Sequence, residues 1–368
     1  MPSVIRVLVV DDSIVMRQMI KDALSAAPGI QVVGMASNGQ EALRLVDELS
    51  PDVVTLDIEM PGMNGLSTLD AILAKRPIAV IMVSSLTQAG ATITLDALER
   101  GAIDYLTKPA SKSEAPLVFG HELVRKIRFA AGSDVKRIVR LRKQRAESFR
   151  VAQPLVKSPV ETGDNLPELA SACIAIGIST GGPPALTSLF RELKPPLPPI
   201  LVVQHMPAQF TKPFAWRLNS VSQLTVKEGE SGEVIKPNHA YVAPGGFHMA
   251  IQGRTGSARI RVFDGEPVSG HKPSVDVMMS SAAQVFGRRV LGVIMTGMGR
   301  DGSNGCRAIR SAGGYVLGQD EATSDVYGMN KVAFVEGNVD RQFALQDGAR
   351  LIMRYVEERF LSRPAEVR

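Results

Sequence analysis

Five polar side chains, Asp11, Asp12, Asp57, Ser84 and Lys108, each close an apolar run in the first third of the chain. Strand-end polar groups of this kind converge on one sheet edge, where three carboxylates repel one another and raise at least one pKa unless a hard cation is present. Mg²⁺ meets that need, held by carboxylates among Asp11, Asp12 and Asp57, by a backbone carbonyl such as that of Glu59, and by water. With the cation in place, Asp57 can accept a phosphoryl group in line, and the Ser84 hydroxyl and Lys108 ammonium can bind its oxygens. A cis Lys108–Pro109 bond is expected to aim the lysine inward. A single strand-end aspartate often does no more than cap the next helix; five such residues on one edge argue for chemistry.

A second constellation lies past the middle of the chain. Gly177-Ile178-Ser179-Thr180-Gly181-Gly182-Pro183 has the strand-turn-helix setting of a nucleophile elbow, with glycines that permit a tight turn and amides aimed at an oxyanion. The same geometry suits a phosphate cradle. A base shifts the balance toward a nucleophile. Among five histidines, His205 ends the apolar run Ile200 to Gln204, expected beside the Ser179 strand, whereas His121, His239, His248 and His271 fall in a helix, a meander and a loop. A third group must orient the imidazole and stabilise its cation. Asp301, in Thr296-Gly297-Met298-Gly299-Arg300-Asp301-Gly302, is expected at the same edge, with Asp276 and Asp320 as rivals. Residues 296–302 could instead form a second phosphate loop, so nucleotide binding stays open.

The elements that must carry these residues follow from hydrophobic periodicity. Apolar runs at 5–10, 30–36, 52–56, 78–83 and 102–106 alternate with helical patterns at 13–26, 38–48, 64–74, 88–99 and 114–130. Five βα repeats predict a doubly wound, flavodoxin-like parallel sheet of order 2-1-3-4-5, whose ligands bind outside the carboxyl ends of strands 1 and 3. A second α/β sheet is predicted from strands at 172–177, 199–204, 290–295 and 314–319, with helices at 182–193, 208–219, 274–286, 303–312 and 345–359. Residues 224–263 alternate apolar and polar between Gly and Pro turns, which predicts an antiparallel β insert.

The chain's 368 residues exceed what one core supports, so two domains are expected: 1–131, then a basic helical extension and linker over 132–168, then 169–365. Few apolar contacts are expected in the junction, whose polar, proline-bearing stretch 153–167 reads as a flexible linker. Of the 42 Lys and Arg, ten fall within residues 121–150, so the net charge of +5 is local. No nucleic-acid recognition motif follows that basic stripe, whose only aromatics are Phe129 and Phe149, which favours a solvated helix over a nucleic-acid surface. No apolar run approaches the roughly 20 residues of a membrane span. Two cysteines, Cys173 and Cys306, supply neither a disulfide framework nor metal spacing.

Val9-Val10-Asp11-Asp12-Ser13, Leu56-Asp57-Ile58-Glu59-Met60-Pro61-Gly62-Met63-Asn64-Gly65, Val83-Ser84-Ser85 and Asp104-Tyr105-Leu106-Thr107-Lys108-Pro109 resemble the motifs of response-regulator receiver domains across the whole first domain. That resemblance implies phosphorylation of Asp57 by a histidine kinase, with Ser84 and Tyr105 as switch residues. The Ser179 and Asp301 motifs, with Gln204-His205-Met206-Pro207, Ala243-Pro244-Gly245-Gly246 and His271-Lys272-Pro273-Ser274-Val275-Asp276, resemble the chemotaxis protein-glutamate methylesterases, the CheB family.

The second resemblance implies a triad of Ser179, His205 and Asp301, with Thr180 and Met298 near the oxyanion and His271 on the polar wall. It implies hydrolysis of glutamate methyl esters, and deamidation of glutamines, on the cytoplasmic helices of chemoreceptors. Mg²⁺ would serve the receiver, with no cofactor for the esterase chemistry. A cytoplasmic location is expected, without nucleic-acid partners or membrane insertion, as is a receiver docked over the catalytic edge that uncovers Ser179 on phosphorylation. Gly328-Met329-Asn330 departs from the family pattern, in which proline is expected after the methionine; the packing of the following helix is where that departure should tell. Two other classes remain: a non-catalytic nucleotide or partner binder, and a DNA-binding regulator, which needs a basic recognition helix.

Overall fold

The computed structural model describes residues 4–85, 87–109, 116–150 and 166–361. The linker stretch expected over 153–167 lies almost wholly outside them. The chain divides into two compact units, Met1–Ala152 and Gln153–Arg368.

The first unit runs β1 (Ile5–Val10), α1 (Ile14–Ser25), β2 (Ile30–Ala36), α2 (Gly39–Leu49), β3 (Val53–Asp57), α3 (Gly65–Lys75), β4 (Ala79–Ser84), α4 (Gln88–Arg100), β5 (Asp104–Thr107), α5 (Pro116–Ala131) and α6 (Val135–Arg150). Its sheet has the order β2-β1-β3-β4-β5 with every neighbouring pair parallel. Chain direction across the sheet reverses between β1 and β3, which opens the crevice where such folds bind ligands. Helices begin where the sequence supplies caps: the side chains of Ser13, Asn38, Asn64 and Thr87 accept from the backbone amides of Met16, Glu41, Ser67 and Gly90.

The junction helix is not solvated all round. Val135 and Ile138 of α6 are buried in the first unit's core, and Arg142 is only 4% exposed. Its guanidinium donates to the carbonyls of Leu98, in the last turn of α4, and Ala102. The basic residues therefore divide, with Lys136 and Arg140 facing water and Arg142 serving as an inward clamp. Few contacts were expected from this segment because its charge hides a short apolar side.

The second unit runs α7 (Leu166–Ala170), β6 (Cys173–Ile178), α8 (Gly182–Glu192), β7 (Ile200–Gln204), α9 (Ala208–Val221), β8 (Thr225–Glu228), β9 (His239–Val242), β10 (His248–Gln252), β11 (Arg259–Phe263), α10 (Val275–Phe286), β12 (Val290–Ile294), α11 (Ser303–Ser311), β13 (Tyr315–Gln319), α12 (Met329–Val335), β14 (Arg341–Phe343) and α13 (Leu345–Val356). A π-helical turn, Glu357–Leu361, follows α13. Seven strands form one sheet, β14-β13-β12-β6-β7-β9-β8, parallel throughout.

The antiparallel insert is shorter than expected. Among the strands of the described residues only β10 and β11 pair antiparallel, while β8 and β9 extend the main sheet in parallel. Alternating burial reveals a half-covered strand and not its direction. The order reverses between β6 and β12, so this sheet also has a crevice at its carboxyl edge. Apolar residues of α10, among them Val275, Met278 and Ala282, pack with Cys173, Ala175 and Val290 into a core. The departure at Gly328-Met329-Asn330 leaves α12 intact. The buried Asn330 amide donates to the Gln319 carbonyl and the Ser324 hydroxyl, an anchor proline has no side-chain donor to make.

Candidate active site

In the first unit, Asp11 follows β1 and Asp57 ends β3, across the crevice between those strands. Both are essentially fully buried, and Asp12 is exposed. One carboxylate oxygen from each of the three lies within 4.8 Å of the other two. Lys108, just past β5, sets its ammonium 2.9 Å from Asp11 Oδ2 and 2.8 Å from Asp57 Oδ2. Burial pushes the Asp57 carboxyl up to about 6, helped by the charge of Asp11 and opposed by Lys108 and the Glu59 amide. Burial alone would lower the Lys108 ammonium, but the two carboxylates raise it.

One ammonium among three carboxylates leaves the crevice negative, and its donors are all hard oxygens. That is an environment a small divalent cation fits. The Lys108–Pro109 bond is trans; among the described residues cis bonds precede only Pro196 and Pro273. The cis expectation fails because β5 already ends beside the carboxylates, and the lysine stem spans the remainder. Ser84 is fully buried at the end of β4, and the Lys108 amide donates to its carbonyl at 2.8 Å. Tyr105 lies opposite Met82, 7% exposed, with the Lys126 ammonium 5.3 Å from its ring centre. Burial raises its phenol well above the usual value, with the charges of Asp104 and Glu122 acting in the same direction.

In the second unit, strand register brings the next constellation together. Ile178 pairs with Gln204, so Ser179 and His205 occupy the next rung, and the His205 amide donates to the Ile178 carbonyl at 3.2 Å. Adjacent strands lie about 4.8 Å apart. On the other side the Ser179 amide donates to the Thr296 carbonyl at 3.0 Å. Ser179 is 8% exposed.

His205 Nε2 lies 2.8 Å from Asp301 Oδ2. Asp301 is fully buried, and its carboxylate also accepts from the Ser274 hydroxyl at 2.9 Å and from the amides of Val275 and Asp276 at 2.7 and 3.0 Å. Burial alone would raise this carboxyl. The His205 hydrogen bond and charge, with the two amides at the positive end of α10, hold it below the ordinary value. Because the partner is acceptor-only, Nε2 carries the hydrogen and Nδ1 of the neutral ring keeps the lone pair. Nδ1 is buried with no hydrogen-bond partner.

The rivals for the carboxylate role are placed elsewhere. Asp276, in the first turn of α10, accepts from the amides of Gly302 and Gly305 at 2.9 and 2.8 Å. Asp276 on α10 thus caps α11, while Asp301 beside α11 caps α10, an exchange of carboxylates that the sequence did not signal. Asp320 accepts from the Thr323 amide and hydroxyl within its own turn.

These bonds weaken both phosphate-loop readings. The amides opening α11 are taken by Asp276. At α8, Pro183 and Pro184 carry no N–H and the Gly182 amide donates to Ser179 O, so few donors remain for a phosphate. A metal in the group His205, His271 and Asp301 fits poorly as well, since all four acceptor positions of Asp301 are in use.

His271 stacks on His205 with ring centres 3.8 Å apart and planes 8° from parallel. The Thr296 hydroxyl donates to the Thr180 carbonyl at 3.0 Å, and the Gly297 and Met329 amides fix the turn leading to Met298. The Gln204 amide, which ties Ser179 O to His205 O, was not singled out from sequence, although its place one residue before the histidine was visible.

Comparison with known proteins places these geometries among relatives. Residues 174–352 match the CheB methylesterase family, and residues 7–118 match the response regulator receiver domain. The chain is 44% identical over 360 residues to a protein-glutamate methylesterase/protein-glutamine glutaminase of Pyrococcus abyssi, covering 96% of this chain and 94% of the relative. It is 45% identical over 350 residues to one from Caulobacter vibrioides, covering 95% and 97%. The Thermotoga maritima CheB methylesterase catalytic domain aligns at 37% identity with a TM-score of 0.49, covering 50% of this chain and 98% of that one.

Proposed function

The chain belongs to the CheB methylesterase family and carries a response regulator receiver domain ahead of the catalytic one, and from that premise we propose that Ser179, His205 and Asp301 hydrolyse glutamyl methyl esters on chemoreceptors. The 2.8 Å bond from His205 Nε2 to Asp301, one strand from the Ser179 turn, is the observation that carries this assignment. Ser179 Oγ adds to the ester carbonyl as its proton passes to His205 Nδ1. The proton then goes to the departing methoxide, and methanol leaves. Water, deprotonated by the same nitrogen, cleaves the acyl-serine to release glutamate and restore the hydroxyl. A glutamine side chain follows the same course and releases ammonia. Asp301 holds the ring orientation and stabilises the imidazolium. The oxyanion falls beside Thr180 and Met298, whose turns are fixed by the Thr296 and Gly297 bonds, and His271 walls the site.

The first unit supplies control. Asp57 accepts a phosphoryl group from a histidine kinase. Asp11, Asp12, Asp57 and the Glu59 carbonyl are the groups that would hold Mg²⁺, which would neutralise charge on the transferring group. Lys108 and Ser84 take the phosphoryl oxygens, and Tyr105 reports the change through β5. Phosphorylation adds roughly −1.5 to −2 charges in a crevice whose single ammonium is already shared, enough to reset a two-state element. The enzyme works in the cytoplasm, where the receptor helices and kinase lie, and no helix among the described residues is long and apolar enough to cross a membrane. Removing residues 1–131 should raise basal hydrolysis by the remaining soluble fragment. An unchanged or lower rate would refute inhibitory control by the first unit.

A further inference from the structure

The loops beside His205 carry two apolar side chains that the chemistry does not use. Val268 and His271 close a two-residue turn by mutual backbone hydrogen bonds of 3.1 and 3.0 Å, with Ser269 at φ 52° and Gly270 at φ 78°. Two left-handed central residues make this a type I′ hairpin turn. Val268 therefore lies directly across from His271, and paired side chains at such positions share a face with Cβ atoms about 5 Å apart. The His271 ring is the one stacked 3.8 Å over His205. Strain at Ser269 is held by its hydroxyl, which donates to Asp276 Oδ2 at 2.8 Å and ties the hairpin to the carboxylates supporting the triad.

The second apolar group comes from the loop between β9 and β10. A Cβ on Gly245 would lie 2.4 Å from the Ala208 amide nitrogen and 2.6 Å from the Met206 carbonyl oxygen, so this loop rests on the segment leaving His205. Phe247 follows two residues later. The buried His248 donates from Nε2 to the Glu266 carbonyl at 3.0 Å, which binds this loop to the one bearing Val268. Phe247 is 44% exposed and Val268 39%. Both are held on pinned loops that adjoin the acceptor imidazole.

We propose that Phe247 and Val268 form a docking ledge for the apolar side of the helical receptor segment that carries the target ester. The inference rests on the esterase reading above and specifies how its substrate is selected. Val268 pairs with His271, whose ring stacks on His205, and the loop bearing Phe247 rests on the segment leaving His205, so both side chains sit on loops that flank the acceptor imidazole. Residues three and four apart on a helix lie about 5–6 Å from one another. Apolar groups one turn from the target glutamate therefore reach the ledge, whereas a free glutamyl ester has nothing to place there.

The test compares kcat/KM of the full chain on methylated receptor membranes with kcat/KM on N-acetylglutamate γ-methyl ester. In the Phe247→Ser, Val268→Ser double variant the receptor-to-small-ester ratio should fall about tenfold or more, chiefly through KM on the receptor. Phe247→Leu with Val268 intact should keep most of the ratio. A ratio within about twofold of wild type overturns the ledge. If that unchanged ratio comes with a shift in sedimentation of the full chain, the ledge belongs to a contact between copies instead. Wild-type protein that hydrolyses neither ester overturns the esterase assignment itself, and the ledge with it.

Discussion

Replacing Asp301 with Asn should damage stability and turnover together, for separable reasons. The carboxylate accepts four hydrogen bonds, two on each oxygen. Whichever way an asparagine turns, its NH₂ meets a backbone N–H: that of Val275 in one orientation, that of Asp276 in the other. One bond becomes a donor-donor contact, the other on that atom must reverse its direction, and the charge opposite the α10 amides disappears. Hydrogen bonds to a buried charged group contribute about 1.5–3 kcal/mol each, so a loss of about 3–5 kcal/mol follows at neutral pH. Trp216, the chain's single tryptophan, lies in α9, so its fluorescence in urea follows the second unit alone. The midpoint should drop by about 1–2 M.

The pH dependence has a definite sign. Asp301's carboxyl is lowered in the fold from an ordinary 3.8, so its contribution is complete above that value and is lost as pH falls through the lower folded one. The gap between wild type and Asp301→Asn should be constant from pH 5 to 7 and shrink below about 4. Turnover at pH 7 should fall roughly 10⁴-fold, because the asparagine no longer selects the tautomer that leaves Nδ1 basic. An unchanged urea midpoint, or near-normal ester hydrolysis, would refute the reasoning.

Asp276→Asn removes the acceptor for the Gly302 and Gly305 amides. It should lower the Trp216-detected midpoint as Asp301→Asn does, yet cost far less in turnover, since His205 keeps its partner. Asp57, raised by burial to about 6, favours the folded state when protonated; that advantage is complete below 3.8 and is lost as pH rises through 6. Asp57→Asn should therefore stabilise the first unit at pH 7 on the order of 1 kcal/mol, and not at pH 4, by amide exchange in β3 and β4, while abolishing stimulation by a phosphodonor. Arg142→Ala leaves the carbonyls of Leu98 and Ala102 without their guanidinium. Amide exchange in the last turn of α4 should show a loss of about 2–3 kcal/mol.

Strand ends were the legible part of this molecule. In a parallel sheet every strand finishes on the same edge, so a run of valines and isoleucines closed by Asp57, Ser179 or His205 reports both a strand and the rim it reaches. Strand direction was less legible: residues 224–242 alternate like a meander, yet β8 and β9 lie parallel because the connection between them returns to the starting edge. β14 has three residues and α12 seven, too few for periodicity to stand out. The exchange of carboxylates between Asp276 and Asp301 was hidden because each aspartate caps the helix the other adjoins, and no local spacing records it. The basic residues around Arg142 concealed a buried face for a related reason, as composition averages over both sides of a helix.

The most direct test measures methanol released from methyl-labelled receptor membranes by wild type, Ser179→Ala and Asp57→Asn, each with and without a small phosphodonor. Wild type should release methanol faster with the donor, Asp57→Asn should stay at the basal rate in both conditions, and Ser179→Ala should fall by roughly 10³ to 10⁶. Near-normal release by Ser179→Ala would contradict the account at its centre.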